Sequence, residues 1–82
     1  MKKFAVINIE TGEVLNIRTP YETPEGWVDG AVFENRLLKE LDLSVDGEEY
    51  LYRKVWRNDA WEDKGVKPSE RHQWTADGWV EV

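Results

Sequence analysis

The 82-residue chain contains no cysteine and only one histidine, His72. Without cysteine it can form neither a disulfide framework nor a zinc site with thiolate ligands. No serine lies in a recognisable nucleophile motif, and the glycine-rich phosphate-binding motifs are absent as well. We therefore predict that the protein is not an enzyme, and that it has no catalytic, cofactor-binding or metal-binding residue.

Long apolar stretches are also absent. No run approaches the ~20 residues that cross a bilayer as a helix, and Met1-Lys2-Lys3 leads into an alternating strand, which is not how a signal peptide begins. These absences predict a chain without a membrane segment, made in the cytosol or assembled from it.

Positive charge is scarce in the first part of the chain. The formal net charge is −6, and residues 1 to 49 hold five bases against eleven acids, whereas residues 50 to 82 hold six of each. Binding to nucleic-acid phosphates needs a basic stripe, so the charge argues against direct nucleic-acid binding. A basic protein partner and mimicry of a polyanion both stay open, beside the simpler interpretation of a solvated acidic surface.

Tryptophan is abundant, and four of the five lie between Tyr50 and Val82. Two segments share the pattern Trp-x-x-Asp-small-Trp-x-acid, and residues that tolerate positive φ separate the tryptophans in each. The pattern predicts two β-hairpins. An Asn58-Asp59 turn would place Trp56 opposite Trp61. In the second hairpin a four-residue loop with Gly78 in the left-handed position would pair Trp74 with Trp79, and a three-residue loop would pair Trp79 with Thr75.

The remaining chain predicts an α+β fold, in which one amphipathic helix packs on an antiparallel β-sheet built from hairpins. Apolar residues recur at helical spacing from Ala31 to Leu41, following a plausible N-cap at Asp29. We predict a single domain, 1–82, with the following parts: a hairpin over 3–18 that has Gly12 in the left-handed position, a loop over 19–26, a helix over about 31–41, and β-hairpins over 48–65 and 71–82.

Large aromatic residues and arginine dominate protein interfaces, so these residue types are the candidates for contact with a partner. A small domain cannot leave most of its tryptophans in water, because burying one contributes up to roughly 6 kcal/mol at about 25 cal/mol per Å². At most one or two are therefore free to serve a partner, unless the protein is a homo-oligomer. The candidate partner-binding residues are Tyr52, Trp56, Arg57, Trp61, Trp74 and Trp79.

The two ends of the chain carry further patterns. The start has Phe4–Ile7, Val14–Ile17 and Pro24–Val28, and the end has Pro68–Trp74, which reads Pro-Ser-x-x-His-x-Trp, followed by Gly78–Val80. In these stretches, about half of its length, the chain resembles the short tail-associated and tail-fibre-assembly proteins of tailed bacteriophages.

The resemblance implies a non-catalytic, phage-encoded protein. It would be a protein–protein interaction module that lies in the virion as a structural protein or acts as an accessory in tail assembly. Its partner would be a phage tail component or a host protein, and its location would be the host cytoplasm during expression or the virion. The alternative function is an acidic phage inhibitor of a host or defence protein, which presents carboxylates where nucleic-acid phosphates would bind.

Overall fold

The computed structural model describes all residues, 1–82. Eight strands and one helix follow in the order β1 (Lys3–Asn8), β2 (Val14–Arg18), β3 (Val32–Phe33), β4 (Arg36–Leu41), α1 (Gly47–Arg53), β5 (Lys54–Arg57), β6 (Ala60–Asp63), β7 (His72–Thr75) and β8 (Gly78–Glu81). All strand pairs are antiparallel. The chain is therefore an α+β protein built from hairpins, as the sequence predicts, but its single helix is short and lies elsewhere.

Strand β1 lies at the centre of a four-stranded sheet of order β2-β1-β4-β3. The turn that joins β1 to β2 has Gly12 at φ 78°, and its amide donates to the carbonyl of Asn8 at 2.7 Å. Because an L side chain is strained at this φ, a glycine is favoured there. Phe4, Ala5 and Ile7 are all buried, on both faces of the strand, so β1 is covered from both sides.

The helix predicted for about 31–41 is wrong, because these residues form the β3–β4 hairpin. Glu34 and Asn35 both have positive φ, which a helix excludes and a two-residue hairpin turn requires. Leu38 is buried on one face of β4, and Leu41 is buried on the other. The apolar residues fit a helical period because an interior strand has apolar residues on both faces.

The hairpin predicted for 48–65 is also corrected at its start, since Gly47–Arg53 is helix α1 and only the residues from Lys54 onward are strand. Asp46 caps the helix, and its side chain accepts from the Glu48 amide at 3.0 Å. Glu48 and Glu49 in the first turn and Arg53 in the last complement the helix dipole. These capping signals favour a helix in this segment, whereas the alternation of its residues had predicted a strand.

Helix α1 and hairpin β5–β6 pack on one face of the central sheet. Their core contains four buried residues, with half-buried aromatic and aliphatic side chains packed around them. The buried four are Ala5, Ile7, Val14 and Leu41. On the opposite face Trp27, from the loop after β2, meets Phe4 edge to face with the ring centroids 5.6 Å apart.

Asp29 attaches this loop to β4. Its Oδ1 accepts from the Glu40 amide at 2.8 Å, and its Oδ2 lies 3.1 Å from Lys39 Nζ. The bond from the Glu40 amide lowers the pKa of Asp29 below its ordinary value of 3.8, and Lys39 acts in the same direction. The loop that carries Trp27 is therefore fixed by a charge-assisted contact as well as by its indole.

Both tryptophan hairpins have the cross-strand pairing expected of them. Trp56 pairs with Trp61 in β5–β6, and Trp74 pairs with Trp79 in β7–β8, which is the first of the two alternatives. The four-residue loop predicted for β7–β8 is wrong, because Thr75 pairs with Gly78 and leaves a two-residue turn. The rings meet edge to face, with centroids 5.2 Å apart in the first pair and 5.4 Å in the second. None of the five tryptophans is exposed, in agreement with the stability argument. No helix has the length and apolar character needed to cross a membrane.

Candidate protein-binding groove

The largest concave surface lies between the end of helix α1, the segment 64–71 and hairpin β7–β8, and we name it the C-terminal groove. It has a volume of about 830 Å³. Its aromatic lining consists of Tyr52, Trp74 and Trp79. Its charged lining consists of Glu13, Lys64, Lys67, Glu70 and Arg71.

The two indoles of the groove wall are held rigidly. The indole nitrogen of Trp74 donates to the Thr11 carbonyl at 2.9 Å, and that of Trp79 donates to the Lys64 carbonyl at 2.7 Å. Trp74 is only 6% exposed, so it forms the floor of the groove, whereas Trp79 is half-buried. Tyr52 projects from the last turn of α1 and is 66% exposed. Rigid aromatic side chains of this kind lose little entropy when a partner binds.

A local turn shapes the segment that leads into β7. The Ser69 hydroxyl accepts from the Arg71 amide at 3.2 Å and lies 2.7 Å from His72 Nδ1. The His72 amide donates to the Ser69 carbonyl at 3.1 Å, and the Arg71 carbonyl in turn accepts from the Val82 amide at 2.7 Å. Ser69 therefore positions Arg71 and His72 at the groove, while the end of the chain closes the hairpin behind them.

The groove contains two cations that make no ion pair. Lys64 Nζ lies 3.7 Å from a carboxylate oxygen of Glu13 and 5.5 Å from the centroid of the Trp79 ring, so its charge is already compensated. Lys67 and Arg71 also line the groove, and neither makes an ion pair. Glu70 is the one unpaired acid among them. The groove therefore combines aromatic surface with two available cations.

The structure distributes the six candidate partner-binding residues over three places. Tyr52, Trp74 and Trp79 line the C-terminal groove. Trp56 and Arg57 line a smaller hollow of about 310 Å³, next to the β1–β2 turn. Trp61 packs edge to face against Tyr50 in the core beside α1, with ring centroids 4.8 Å apart.

Sequence reasoning did not select Lys64 and Lys67 for the site. Both lie in a segment broken by Gly65 and Pro68 that we interpreted only as a loop or edge strand. The available signal was their position just before the Pro68–Trp74 motif. The two lysines therefore lie on the same chain segment as the motif residues that line the groove. Their convergence with Tyr52 depends on the tertiary fold.

Two shallower hollows near the end of β4 and the start of α1 carry acids. The first is lined by Asp29, Glu40, Leu41 and Asp42. The second, which we name the acidic hollow, is lined by Asp46, Glu48, Glu49, Tyr52 and Arg53. The amide and hydroxyl of Ser44 both donate to Asp42, which lowers the pKa of Asp42. No group of three or more His, Asp or Glu side chains converges closely enough to hold a metal ion.

Comparison of the chain with protein-family models, with curated proteins and with solved structures finds no match. The candidate site is therefore inferred from its geometry alone.

Proposed function

We propose that the chain is a non-enzymatic protein-binding module of a tailed bacteriophage, and that the C-terminal groove is where its partner binds. The module would be a virion-associated structural protein or an accessory of tail assembly. Its partner is a phage tail component or a host protein. Neither direct binding to nucleic acid nor binding to a membrane belongs to this proposal.

The observation that carries the proposal is the position of the Pro68–Trp74 motif. This stretch, on which the resemblance to tail-associated proteins partly rests, contributes Arg71, His72 and Trp74 to the groove. A motif that served only to build a strand would have no need to place an arginine and an indole on one concave surface. Tyrosine, tryptophan and arginine are also the residues that contribute most of the binding energy at protein interfaces.

Site-specific photo-crosslinking in the cell that makes the protein tests this proposal. Gln73 is exposed and lines the groove, so a photoreactive phenylalanine analogue at this position reports what binds there. We expect a single crosslinked product that contains a phage tail or assembly protein. The matched control is Val28, which is exposed in the loop over the other face of the sheet and should give no such product.

The flanking DNA supplies an independent check of the assembly role. Tail genes beside the gene would support it, and a metabolic operon on both sides would contradict it. Equal crosslinking from Gln73 and Val28 would contradict the choice of the groove.

The acidic inhibitor is the second candidate function, because acids line both hollows near β4 and α1. Leu43 is half exposed and adjoins Asp42, so the photoreactive analogue at this position tests the acidic side without removing a carboxylate. A crosslink from Leu43 to a host DNA-binding protein, with none from Gln73, would favour the inhibitor over the tail protein.

A further inference from the structure

We propose that the residues lining the C-terminal groove contact the residues of the acidic hollow of a second copy of this chain. Two copies then form a symmetric dimer with Tyr52 near the two-fold axis. The inference rests on the proposed function, because it takes the chain itself to be the virion or assembly component that occupies the same groove. The geometry that points to it is the position of Tyr52, whose side chain lines the groove and the acidic hollow at once.

The groove has two unpaired cations against one unpaired acid, Glu70, and the acidic hollow has three acids against one arginine, Arg53. A mainly basic and a mainly acidic surface therefore adjoin, with an exposed tyrosine between them. A two-fold rotation about an axis through the tyrosine places the acidic surface of each copy against the basic surface of the other. Each contact then occurs twice, and both Tyr52 side chains leave water at the centre. The arrangement has the general anatomy of a stable interface, which is an aromatic centre inside a polar rim.

The charges on both sides are available for such contacts. Lys67 and Arg71 on the basic side make no ion pair within the chain. Glu48 and Glu49 on the acidic side make none either, and both are exposed. Pairing them across a two-fold axis would compensate four charges in each copy without breaking an existing ion pair.

The overall charge of −6 opposes association only at long range. At physiological ionic strength the Debye length is about 8 Å, so the repulsion between distant acids is screened, while charges in direct contact still attract. A specific interface buries about 800 Å² on each partner. The accessible surface of one copy is 5720 Å², so the interface needs a modest part of it.

A charge-swap experiment tests the dimer. Sedimentation equilibrium at about 0.15 M salt should give the wild-type protein a mass approaching twice 9.7 kDa as its concentration rises. Lys67→Glu with Arg71→Glu should raise the dissociation constant about tenfold or more, and so should Glu48→Lys with Glu49→Lys. An equimolar mixture of the two variants should restore the dimer, because each basic surface again meets an acidic one.

Matched controls change the net charge equally at other surfaces. Arg18→Glu with Arg36→Glu controls the first variant, and Glu22→Lys with Glu25→Lys controls the second, since all four residues are exposed and outside both surfaces. Neither control should weaken the dimer. A wild-type protein that stays at 9.7 kDa, a control that dissociates like the test variant, or a mixture that stays monomeric would overturn the inference.

Single-cysteine crosslinking keeps the inference testable if a lysine substitution unfolds α1. The chain has no cysteine, so Tyr52→Cys introduces the only one. A residue near a two-fold axis meets its own copy, and Tyr52→Cys should therefore oxidise to a disulfide-linked dimer much faster than Val28→Cys. Equal rates would overturn the dimer. That outcome leaves the proposed function standing if Gln73 crosslinks to a different tail component, whereas a crosslink from Gln73 to a second copy supports the dimer.

Discussion

Hairpins β5–β6 and β7–β8 have the same cross-strand tryptophan pair but are attached to the molecule in different ways. The first is joined to the central sheet through its backbone: the Trp56 amide donates to the Gly12 carbonyl at 2.8 Å, and Val55 forms a β-bridge with Glu13. Val55 is completely buried. Both hairpins are separate two-stranded sheets, but the second makes no backbone hydrogen bond to the central sheet. Its largest anchor is one side chain, that of Trp74.

This difference shows that a cross-strand tryptophan pair does not by itself attach a hairpin to the central sheet. Facing aromatics stabilise the pairing of the two strands, by about 0.5 to 1.5 kcal/mol beyond their buried area. Attachment to the sheet needs contacts that leave the hairpin, and these are numerous in β5–β6 and few in β7–β8. The weakly attached hairpin is also the one that forms the C-terminal groove.

Removal of Trp74 should have the largest effect. We expect Trp74→Ala to cost about 3 to 5 kcal/mol, which is typical of a buried tryptophan, and to release β7–β8 while the central sheet stays folded. Hydrogen exchange measured by mass spectrometry should then show loss of protection in His72–Glu81 and retention in Lys3–Asn8.

Trp61→Ala is the control in the other hairpin. It removes a half-buried ring but leaves the backbone bond from Trp56 to Gly12 in place, so β5–β6 should stay protected from exchange. Equal loss of protection in both hairpins would show that the attachments do not differ.

The second-largest effect should come from Gly12, where β5–β6 meets the β1–β2 turn. A Cβ at Gly12 would collide with the Trp56 carbonyl oxygen and would lie 3.2 Å from its carbon, and the neighbour is backbone that cannot rotate away. We expect Gly12→Ala to destabilise the protein by about 3 kcal/mol or more in urea titration.

Gly65→Ala is the matched control for this substitution. Gly65 has a similar φ of 74°, but a Cβ there would meet nothing within 4 Å. Its cost should be about 1 to 2 kcal/mol, which is the cost of the left-handed conformation alone. Similar losses at both glycines would mean that the contact with Trp56 is unimportant.

Gly12 shows where the sequence was sufficient. Its left-handed conformation and the Trp56–Trp61 pair could be predicted because turn chemistry and cross-strand pairing act within a few residues, whereas two pairings stayed open for Trp79. The β3–β4 hairpin could not, since its apolar residues also fit a helix, and the choice depends on β1 lying beside Leu37 and Leu38. The groove could not be predicted either, because α1 and the segment 64–71 are brought together only by the fold.

Introducing glycine into the turn of the first hairpin and removing it from the turn of the second should change the stability in opposite directions. Asp59 has φ 57° in the first turn, and in the second the positive φ, 104°, falls on Gly78. Asp59→Gly should stabilise the protein by about 0.5 to 1 kcal/mol, and Gly78→Ala should destabilise it by about 1 to 2 kcal/mol. For a domain of this size, 1 kcal/mol corresponds to a change of about 4 to 8 °C in the thermal midpoint. A shift of the same sign in both variants would contradict the assigned turn conformations.

Arg57 connects the two hairpins, and its replacement should have the smallest effect. Its guanidinium pairs with Glu62 within β5–β6, lies 5.4 Å from the centroid of the Trp74 ring, and donates to the Ala76 carbonyl at 3.3 Å. A lysine keeps the charge but lacks the planar fork, so it cannot make all three contacts. We expect Arg57→Lys to cost about 0.5 to 1 kcal/mol and Arg53→Lys to cost nothing measurable, because Arg53 makes no ion pair. In the Trp74→Ala background the cost of Arg57→Lys should fall, since a released β7–β8 hairpin removes two of the three contacts, and an unchanged cost would mean that Arg57 stabilises only its own hairpin.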